Sequence, residues 1–383
     1  MEAYLDNSAT TRPCEAAILA AEAALREGWH NPSALYRPAL EAQKRENAVR
    51  EACLRAAGAE GQKVIFTGSG TEADNLAILG AMRAAHRSGR VLFLKSEHPA
   101  VSACEAELMR MGHKVEMIPV MRTGVCDLQR LEAMLGEDVV LIAVMQVNNE
   151  VGAIQPLAEI AALRDRYCPG AWLHVDGVQG FLRVPLQFNK LGLQSYALSG
   201  HKIHACKGIG ALIVRRNARL NPLIFGGGQE DGLRSGTENT VGIAMLGAAI
   251  EAFPADAVPR MAAMKKRLWE GISMSIPGAL INGPMIDSPE SAPHILNMSL
   301  QPVRSQTMLF ALEGDGIYVS AGSACASHKQ RLSPVLSAMN IDAKRADCAL
   351  RFSLCPYTTE EEIDWAVACA AKHYALLSKY VRR

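Results

Sequence analysis

Short apolar runs rich in β-branched residues recur along the first half of the chain, separated by segments of helical periodicity. Within the runs, polar and apolar positions do not alternate, which is typical of strands buried on both faces of a sheet. Strands and helices that follow one another in this way predict βαβ units around a mostly parallel sheet. The predicted strands are 64–67, 91–94, 139–145, 172–175, 196–198 and 211–214, and the predicted helices include 72–86, 99–111 and 156–167.

The pattern changes at 253–259, where two prolines occur within seven residues. Beyond this break the chain predicts a smaller α+β unit, whose elements are a helix over 260–275, strands near 294–300 and 317–320, and a last helix from the cap-like run 358–362. We therefore expect a large domain over 14–258 and a small domain formed by 1–13 together with 259–383.

Polar side chains follow five of the predicted strands at the point where each strand ends. In chain order these are Thr71, His98, Asn149, Asp176 and Lys202. In open α/β sheets, ligands bind beyond the carboxyl ends of the strands. The recurrence predicts one pocket in which these side chains converge.

The run 68–75 contains two glycines between a strand and a helix. Glycine lets the backbone approach an anion closely, and the first free N–H groups of a helix point towards it. Thr71 adds a hydroxyl, and Asp74 is placed to close a capping box. An ordinary turn with a capped helix has the same residues, so phosphate binding stays one of two interpretations. The run matches neither nucleotide-binding glycine pattern, which disfavours a nucleotide.

Lys202 and Asp176 favour a particular kind of cofactor. A desolvated lysine at the carboxyl edge of a sheet is the kind of amine that bonds covalently to carbonyl compounds. Asp176 ends a buried strand, where a carboxylate without a cationic partner would be costly. A pyridinium nitrogen would supply that partner and would keep the cofactor ring an electron sink.

Composition and charge exclude several other classes. Lys and Arg number 40 against 39 Asp and Glu, so no dominant footprint for nucleic acid is expected. The ten cysteines contain no Cys-x-x-Cys pair, which argues against a disulfide framework and a zinc site; no metal is expected. The start of the chain lacks a basic stretch followed by an apolar run, and no apolar stretch approaches the ~20 residues of a membrane span. We expect a cytoplasmic protein with no membrane association and no direct nucleic-acid binding.

Cys325 differs in its surroundings from the other cysteines. It lies in 321–327, a run of small residues that offers little to pack against. Structural cysteines usually have bulky apolar neighbours, whereas an accessible thiol suits a nucleophile that must travel. Cys325 is therefore the candidate nucleophile.

Taken together, these motifs resemble those of the cysteine desulfurases, pyridoxal-phosphate (PLP) enzymes of the class V aminotransferase family. The resemblance covers nearly the whole chain, and the matching blocks are 5–11, 31–33, 70–75, 97–98, 147–152, 174–176, 199–202, 234–239, 322–325 and 351–353. It implies the fold of PLP-dependent transferases of fold type I, a mostly parallel central sheet with a smaller α+β domain.

The resemblance also implies roles for individual residues. Lys202, Cys325 and His98 would be catalytic: Lys202 would bind the cofactor covalently and shuttle a proton, and His98 would stack on the ring. Asn31 and Arg351 would clamp the substrate carboxylate, as suits a guanidinium fork. The implied cofactor-binding residues are Gly70, Thr71, His98, Asn149, Asp176, Gln179, Ser199, His201, Lys202 and, contributed to a neighbouring subunit, Thr237.

The implied reaction is removal of sulfur from L-cysteine, which yields L-alanine and a persulfide on Cys325. The implied partners are a second copy of the chain in a homodimer and a sulfur-acceptor protein, either an iron–sulfur scaffold or a thiolation enzyme. Selenocysteine lyase and another class V aminotransferase share the fold and cofactor, although a plain aminotransferase has no need of Cys325. A non-catalytic adaptor is the alternative of a different class, and the presence of Lys202, Asp176, His98 and Cys325 argues against it.

Overall fold

The computed structural model describes residues 1–85, 87–321 and 333–380. Its centre is a seven-stranded sheet. The strands are β2 (Lys63–Thr67), β3 (Arg90–Leu94), β4 (Lys114–Ile118), β5 (Val139–Met145), β6 (Trp172–Asp176), β7 (Ser195–Ser199) and β8 (Gly210–Val214). Their order in the sheet is β2-β8-β7-β6-β5-β3-β4. β8 pairs antiparallel with both of its neighbours, and the other pairs are parallel.

Helices cover both faces of this sheet. Successive residues of a strand therefore pack into two different hydrophobic cores, one on each face. On β5, Leu141 and Ala143 pack with one cluster, while Ile142 and Val144 pack with the other. This division explains the unbroken apolar runs, because both faces of the strand are buried. The helices up to the end of this region are α1 (Glu15–Arg26), α2 (Arg37–Ala57), α3 (Gly70–Ala84), α4 (Pro99–Ser102), α5 (Glu105–Arg110), α6 (Leu128–Met134), α7 (Leu157–Tyr167) and α8 (Thr240–Glu251).

A second core lies beyond α8, around a four-stranded antiparallel sheet and a two-stranded parallel one. Thr359 and Glu362 form a reciprocal capping box that starts the last helix, as the run 358–362 predicts. The strands are β1 (Ala3–Tyr4), β9 (Leu280–Ile281), β10 (Ile295–Ser299), β11 (Ile317–Tyr318), β12 (Ser320–Ala321) and β13 (Ala349–Ser353), and the helices are α9 (Ala257–Ser275), α10 (Ser305–Gly314), α11 (Pro334–Ala338), α12 (Ala343–Asp347) and α13 (Glu360–Leu377).

The sequence pattern located the buried strands well and the edge of the sheet poorly. All six strands predicted for the large sheet are present, but β4 was not predicted. β4 lies at the sheet edge, where its partly buried residues alternate with the charged Lys114 and Glu116. The single helix predicted over 99–111 was wrong: a tight turn, in which the N–H of Cys104 donates to the carbonyl of Val101, separates α4 from α5.

The division into two domains stays a prediction. Ala3 and Leu5 belong to the core that holds α9 and α13, as that division expects. Val335 and Ala349, however, pack with the core of the large sheet, across the expected boundary. Across the described ranges, every helix is too short or too polar to serve as a membrane span.

Gly177 follows β6 at a point where another side chain occupies all the nearby space. A Cβ at Gly177 would lie 1.8 Å from Cζ of Tyr196, whose hydroxyl donates to Oε1 of Gln146 at 2.7 Å. The N–H of Gly177 donates to the carbonyl of Ala197. Because residue 177 has no side chain, the Tyr196 ring fits beside it, and β6 stays paired with β7 at the end that carries Asp176.

We expect Gly177→Ala to lower the free energy of unfolding by about 3 kcal/mol, because a buried ring would have to move in a filled core. Gly170→Ala is the matched control, since a Cβ there would meet no atom within 4 Å. Urea unfolding followed by circular dichroism measures both changes. Equal stability of the two variants would contradict this account of the contact.

Candidate active site

A cavity of about 360 Å³ lies where the carboxyl ends of β5, β6 and β7 meet the start of α3. Its volume is in the range of small-molecule sites. Arg351 of β13 and Pro334 and Val335 of α11 also line it. Ten of the predicted site residues line it: Gly70, Thr71, His98, Asn149, Asp176, Gln179, Ser199, His201, Lys202 and Arg351.

The start of α3 forms one end of the cavity. Ser69 caps the helix by accepting from the N–H of Glu72, and the Glu72 carboxylate accepts in return from the N–H of Gly68 at 2.8 Å. The prediction that Asp74 closes a capping box was wrong, because its carboxyl group bonds to His174, and the carboxylate beside the cap is that of Glu72. A Cβ at Gly70 would lie 2.6 Å from Val178, so only glycine fits there. The capped N-terminus of a 15-residue helix favours an anion at this end.

His201 lies at the same end, after β7. Its Nδ1 is 3.1 Å from Oγ1 of Thr10. Burial, and to a smaller extent the nearby Lys202 and Lys207, lower the pKa of His201 to about 4. The imidazole is therefore neutral near pH 7, so it would contribute hydrogen bonds, not charge, to an anion.

Lys202 ends the short 3₁₀ helix Gly200–Lys202 that follows β7. Its Nζ donates to the backbone carbonyls of Ser8 and Ala9 at 2.6 and 2.8 Å. Burial lowers the pKa of Lys202 to about 8, and the guanidiniums of Arg351 and Arg183 act in the same direction. Near neutral pH a useful fraction of this amine is thus unprotonated and nucleophilic.

Asp176 and His98 also line the cavity. One oxygen of Asp176 accepts from the N–H of Val178 at 2.9 Å. Burial raises the pKa of Asp176, while His98 and Lys202 oppose that change. Burial lowers the pKa of His98, whose Nδ1 accepts from the N–H of Ala100. Asp176 would therefore gain from a cationic ligand nitrogen, and the neutral His98 ring is suited to stacking.

Arg351 lines the cavity and bonds to three different segments of the chain. Its guanidinium donates to the carbonyl of Asn149 at 2.9 Å, to Oδ1 of Asp6 at 2.7 Å and to Oγ of Ser320 at 3.2 Å, and its Nε has no partner in the described structure. A substrate carboxylate that binds here would share the guanidinium with Asp6 or displace it. Asp6 therefore competes with a substrate carboxylate for the guanidinium that is predicted to bind it.

Three predicted site residues are not in this arrangement. Asn31 is exposed and does not line the cavity; its Oδ1 accepts from the N–H of Ser33 at 2.9 Å. Thr237 is also exposed and away from the cavity, as a residue serving a neighbouring subunit would be. Cys325 lies outside the described residues. The roles proposed for all three stay predictions.

Sequence reasoning missed residues that act through the backbone or from beneath the site. The carbonyls of Ser8 and Ala9 hold Lys202, and that of Ser8 also accepts from Nε2 of Gln179 at 3.0 Å. The block 5–11 was singled out, but a backbone carbonyl leaves no mark in residue type. Glu97 also lines the cavity, with Oε1 accepting from the N–H of Met145 and Oε2 unpartnered.

These residues fit pyridoxal phosphate. A helix N-terminus with neutral hydrogen-bonding side chains suits its phosphate, the Lys202 amine suits its aldehyde, and Asp176 suits its ring nitrogen. Oε1 of Gln179 and Oγ of Ser8 are buried without a partner, as expected of groups that complete their hydrogen bonds with a polar ligand. Among the described residues, no group of three His, Cys, Asp or Glu side chains is arranged to hold a metal ion.

Comparison with known proteins gives a single answer. The model of the family "Aminotransferase class-V", whose members depend on PLP, matches residues 3–365. A cysteine desulfurase of a Nostoc species is 37% identical over 94% of this chain and 90% of its own length, and the cysteine desulfurase NifS of Azotobacter vinelandii is 36% identical over 95% and 90%.

A solved structure described as a NifS-like protein superposes with a TM-score of 0.90 at 33% identity, covering 98% of this chain and 100% of its own. The predicted architecture, a mostly parallel sheet of PLP fold type I, is confirmed. The chain belongs to the class-V aminotransferase family of pyridoxal-phosphate enzymes.

Proposed function

We propose that this chain is a PLP-dependent cysteine desulfurase, which takes sulfur from L-cysteine and releases L-alanine. The observation that carries the proposal is the convergence of Lys202, Asp176 and Arg351 on one cavity. Relatives that match along nearly the full length of the chain are named cysteine desulfurases. When bound, the cofactor withdraws electrons from the carbon atoms of the amino acid attached to it.

Lys202 has two uses in this reaction. Its lowered pKa makes the free amine available near neutrality, so it can bond covalently to the cofactor and, once displaced by substrate, accept the Cα proton. The carbonyls of Ser8 and Ala9 hold Nζ at the cavity wall. Pro334 and Val335 of α11 and Arg351 of β13 line the same cavity.

Arg351 orients the substrate in this proposal. Its guanidinium lies at the cavity wall on β13 and is held by Asp6 and by the Asn149 carbonyl. An α-carboxylate at this guanidinium would direct the rest of the amino acid into the cavity, towards Lys202. Asn31 would complete the clamp only if the segment that carries it approached the cavity.

Cys325 is proposed as the sulfur acceptor on the enzyme. Its thiolate would attack the substrate sulfur, taking it as a persulfide, and the substrate remnant would leave as alanine after gaining protons. The persulfide would then pass to a protein acceptor; an iron–sulfur scaffold and a thiolation enzyme both fit this chemistry.

A homodimer with shared sites completes the proposal. Thr237 is exposed within the run 234–239. Phe225, which is nearby in sequence, is a large apolar side chain that is mostly exposed. We propose that a twofold axis brings Thr237 to the phosphate end of the partner's cavity, since such interfaces are isologous.

Lys202→Ala should abolish the borohydride-reducible link between cofactor and chain, because no amine would remain at the cavity wall. Peptide mass spectrometry after reduction locates the link. Lys265 is the matched control: it too is buried with a pKa lowered, to about 7, but its Nζ donates to Ser291 and Ala292 outside the cavity. A link that persists in Lys202→Ala, or that maps to Lys265, would refute the assignment.

Cys325→Ala should keep the visible spectrum of the bound cofactor and yield almost no sulfide from cysteine, because cofactor binding and sulfur transfer use different residues. Sulfide and alanine are measured together. The control is Cys206→Ala, which removes a partly exposed thiol from the segment beside Lys202. Undiminished turnover of Cys325→Ala, or a persulfide mapped to Cys206, would contradict the proposal.

The wild-type enzyme also distinguishes the related activity. Faster release of selenium from selenocysteine than of sulfur from cysteine would favour selenocysteine lyase.

Mixed dimers test the shared sites. Thr237→Asp should empty both sites of a homodimer by repelling the phosphate, and Lys202→Ala should leave both without the amine. In mixtures of the two, mixed dimers regain one intact site, so about a quarter of wild-type activity should return for random twofold pairing. Lys202→Ala mixed with Asp176→Asn is the control and should regain nothing, since both residues come from one subunit. Failure of the first mixture to recover would exclude composite sites.

A further inference from the structure

Four side chains form a continuous hydrogen-bonded chain from β6 and β7 to the cavity wall. Nε1 of Trp172 donates to Oγ of Ser195 at 2.8 Å, Oγ of Ser195 lies 2.9 Å from Nδ1 of His174, and Nε2 of His174 lies 3.1 Å from Oδ1 of Asp74. His174 and Ser195 are fully buried, and Asp74 is 1% exposed. Asp74 alone of the four lines the cavity.

The direction of each hydrogen bond follows from the tryptophan. An indole N–H only donates, so Oγ of Ser195 accepts from Trp172. The hydroxyl hydrogen of Ser195 is then free to be donated to Nδ1 of His174. Burial lowers the pKa of His174 to about 3, so the ring is neutral. When Nδ1 accepts from Ser195, the single ring hydrogen is on Nε2. His174 consequently donates to Oδ1 of Asp74.

The charges around Asp74 are unfavourable for a carboxylate. Asp176 and His174 face it from β6, and Glu97, His98 and Cys104 lie on the segment that leads through α4, which packs against α3. The cationic residues that line the cavity, Lys202 and Arg351, bond to backbone carbonyls and to Asp6 instead. Burial raises the pKa of Asp74, and Asp176 and Glu97 raise it further.

We propose that Asp74 is a neutral carboxylic acid, held by the chain Trp172–Ser195–His174, and that it leaves Asp176 as the carboxylate that pairs with the cofactor ring nitrogen. The physical reason is that neighbouring carboxyls in a buried site do not both ionise, and the one with the cationic partner keeps its charge. Asp74 is thus a positioning residue that acts through Asp176. This inference rests on the proposed cofactor site.

Two isosteric substitutions distinguish a neutral Asp74 from an ionised one. Asn has the shape of a protonated Asp: its oxygen can accept from His174, and its NH₂ can replace the acid hydrogen. Asp74→Asn should therefore move the midpoint of the pH titration of the cofactor's visible absorbance by less than about 0.3, while Asp176→Asn, which removes a charge, should lower it by more than about 1. A shift in Asp74→Asn as large as that in Asp176→Asn would overturn the proposal.

Infrared difference spectroscopy of the cofactor-free protein provides a second readout that needs neither cofactor nor activity. Wild type minus Asp74→Asn should show the carbonyl stretch of a neutral carboxylic acid at pH 7, and that band should shift in Ser195→Ala, which breaks the chain. A carboxylate band in its place would overturn the proposal even if Asp74→Asn fails to take up the cofactor. Absence of any cofactor binding by wild-type protein would instead refute the proposed function and leave the infrared result standing.

Discussion

The dehydration of the Lys202 amine is the constraint on which the site depends. The amine is buried at the carboxyl edge of the sheet and bonds to two neutral carbonyls, those of Ser8 and Ala9. A carboxylate in their place would stabilise the protonated amine and raise its pKa. The N-terminal segment therefore satisfies the hydrogen bonds of the ammonium while leaving its proton easy to lose.

The backbone around Lys202 is fixed as firmly as its side chain. Arg183 donates to the Lys202 carbonyl, and Thr11 donates its hydroxyl and N–H to the carbonyl of His201. Both contacts come from segments distant in sequence. The N-terminal strand region and the core of the large sheet thus hold one three-residue turn between them, so that Lys202 approaches the cavity from a fixed position.

Arg351 and Ser333 come from the part of the chain that follows the large sheet, and both bond to the segment after β5. Arg351 reaches the carbonyl of Asn149, and Ser333 donates to the carboxylate of the neighbouring Glu150. Burial raises the pKa of Glu150, and the bond from Ser333 opposes that change. Two consecutive residues after β5, Asn149 and Glu150, therefore connect β13 and the start of α11 to the cavity.

The sequence by itself determined six of the seven strands of the large sheet, the polar residues at the ends of five of them and the chemical type of the site. It could do so because apolar periodicity and residue type are local, and because parallel strands bring their carboxyl ends to one edge. It did not reveal β4, whose edge position removes the continuous apolar pattern, or the break between α4 and α5. The tertiary structure alone decided that Asp74 bonds to His174 and not to the cap of α3, that the Asp6 carboxylate bonds to the Arg351 guanidinium, and that the carbonyls of residues 8 and 9 hold Lys202. These features depend on backbone atoms and on contacts between residues far apart in the chain, and neither is encoded in the identity or spacing of neighbouring residues.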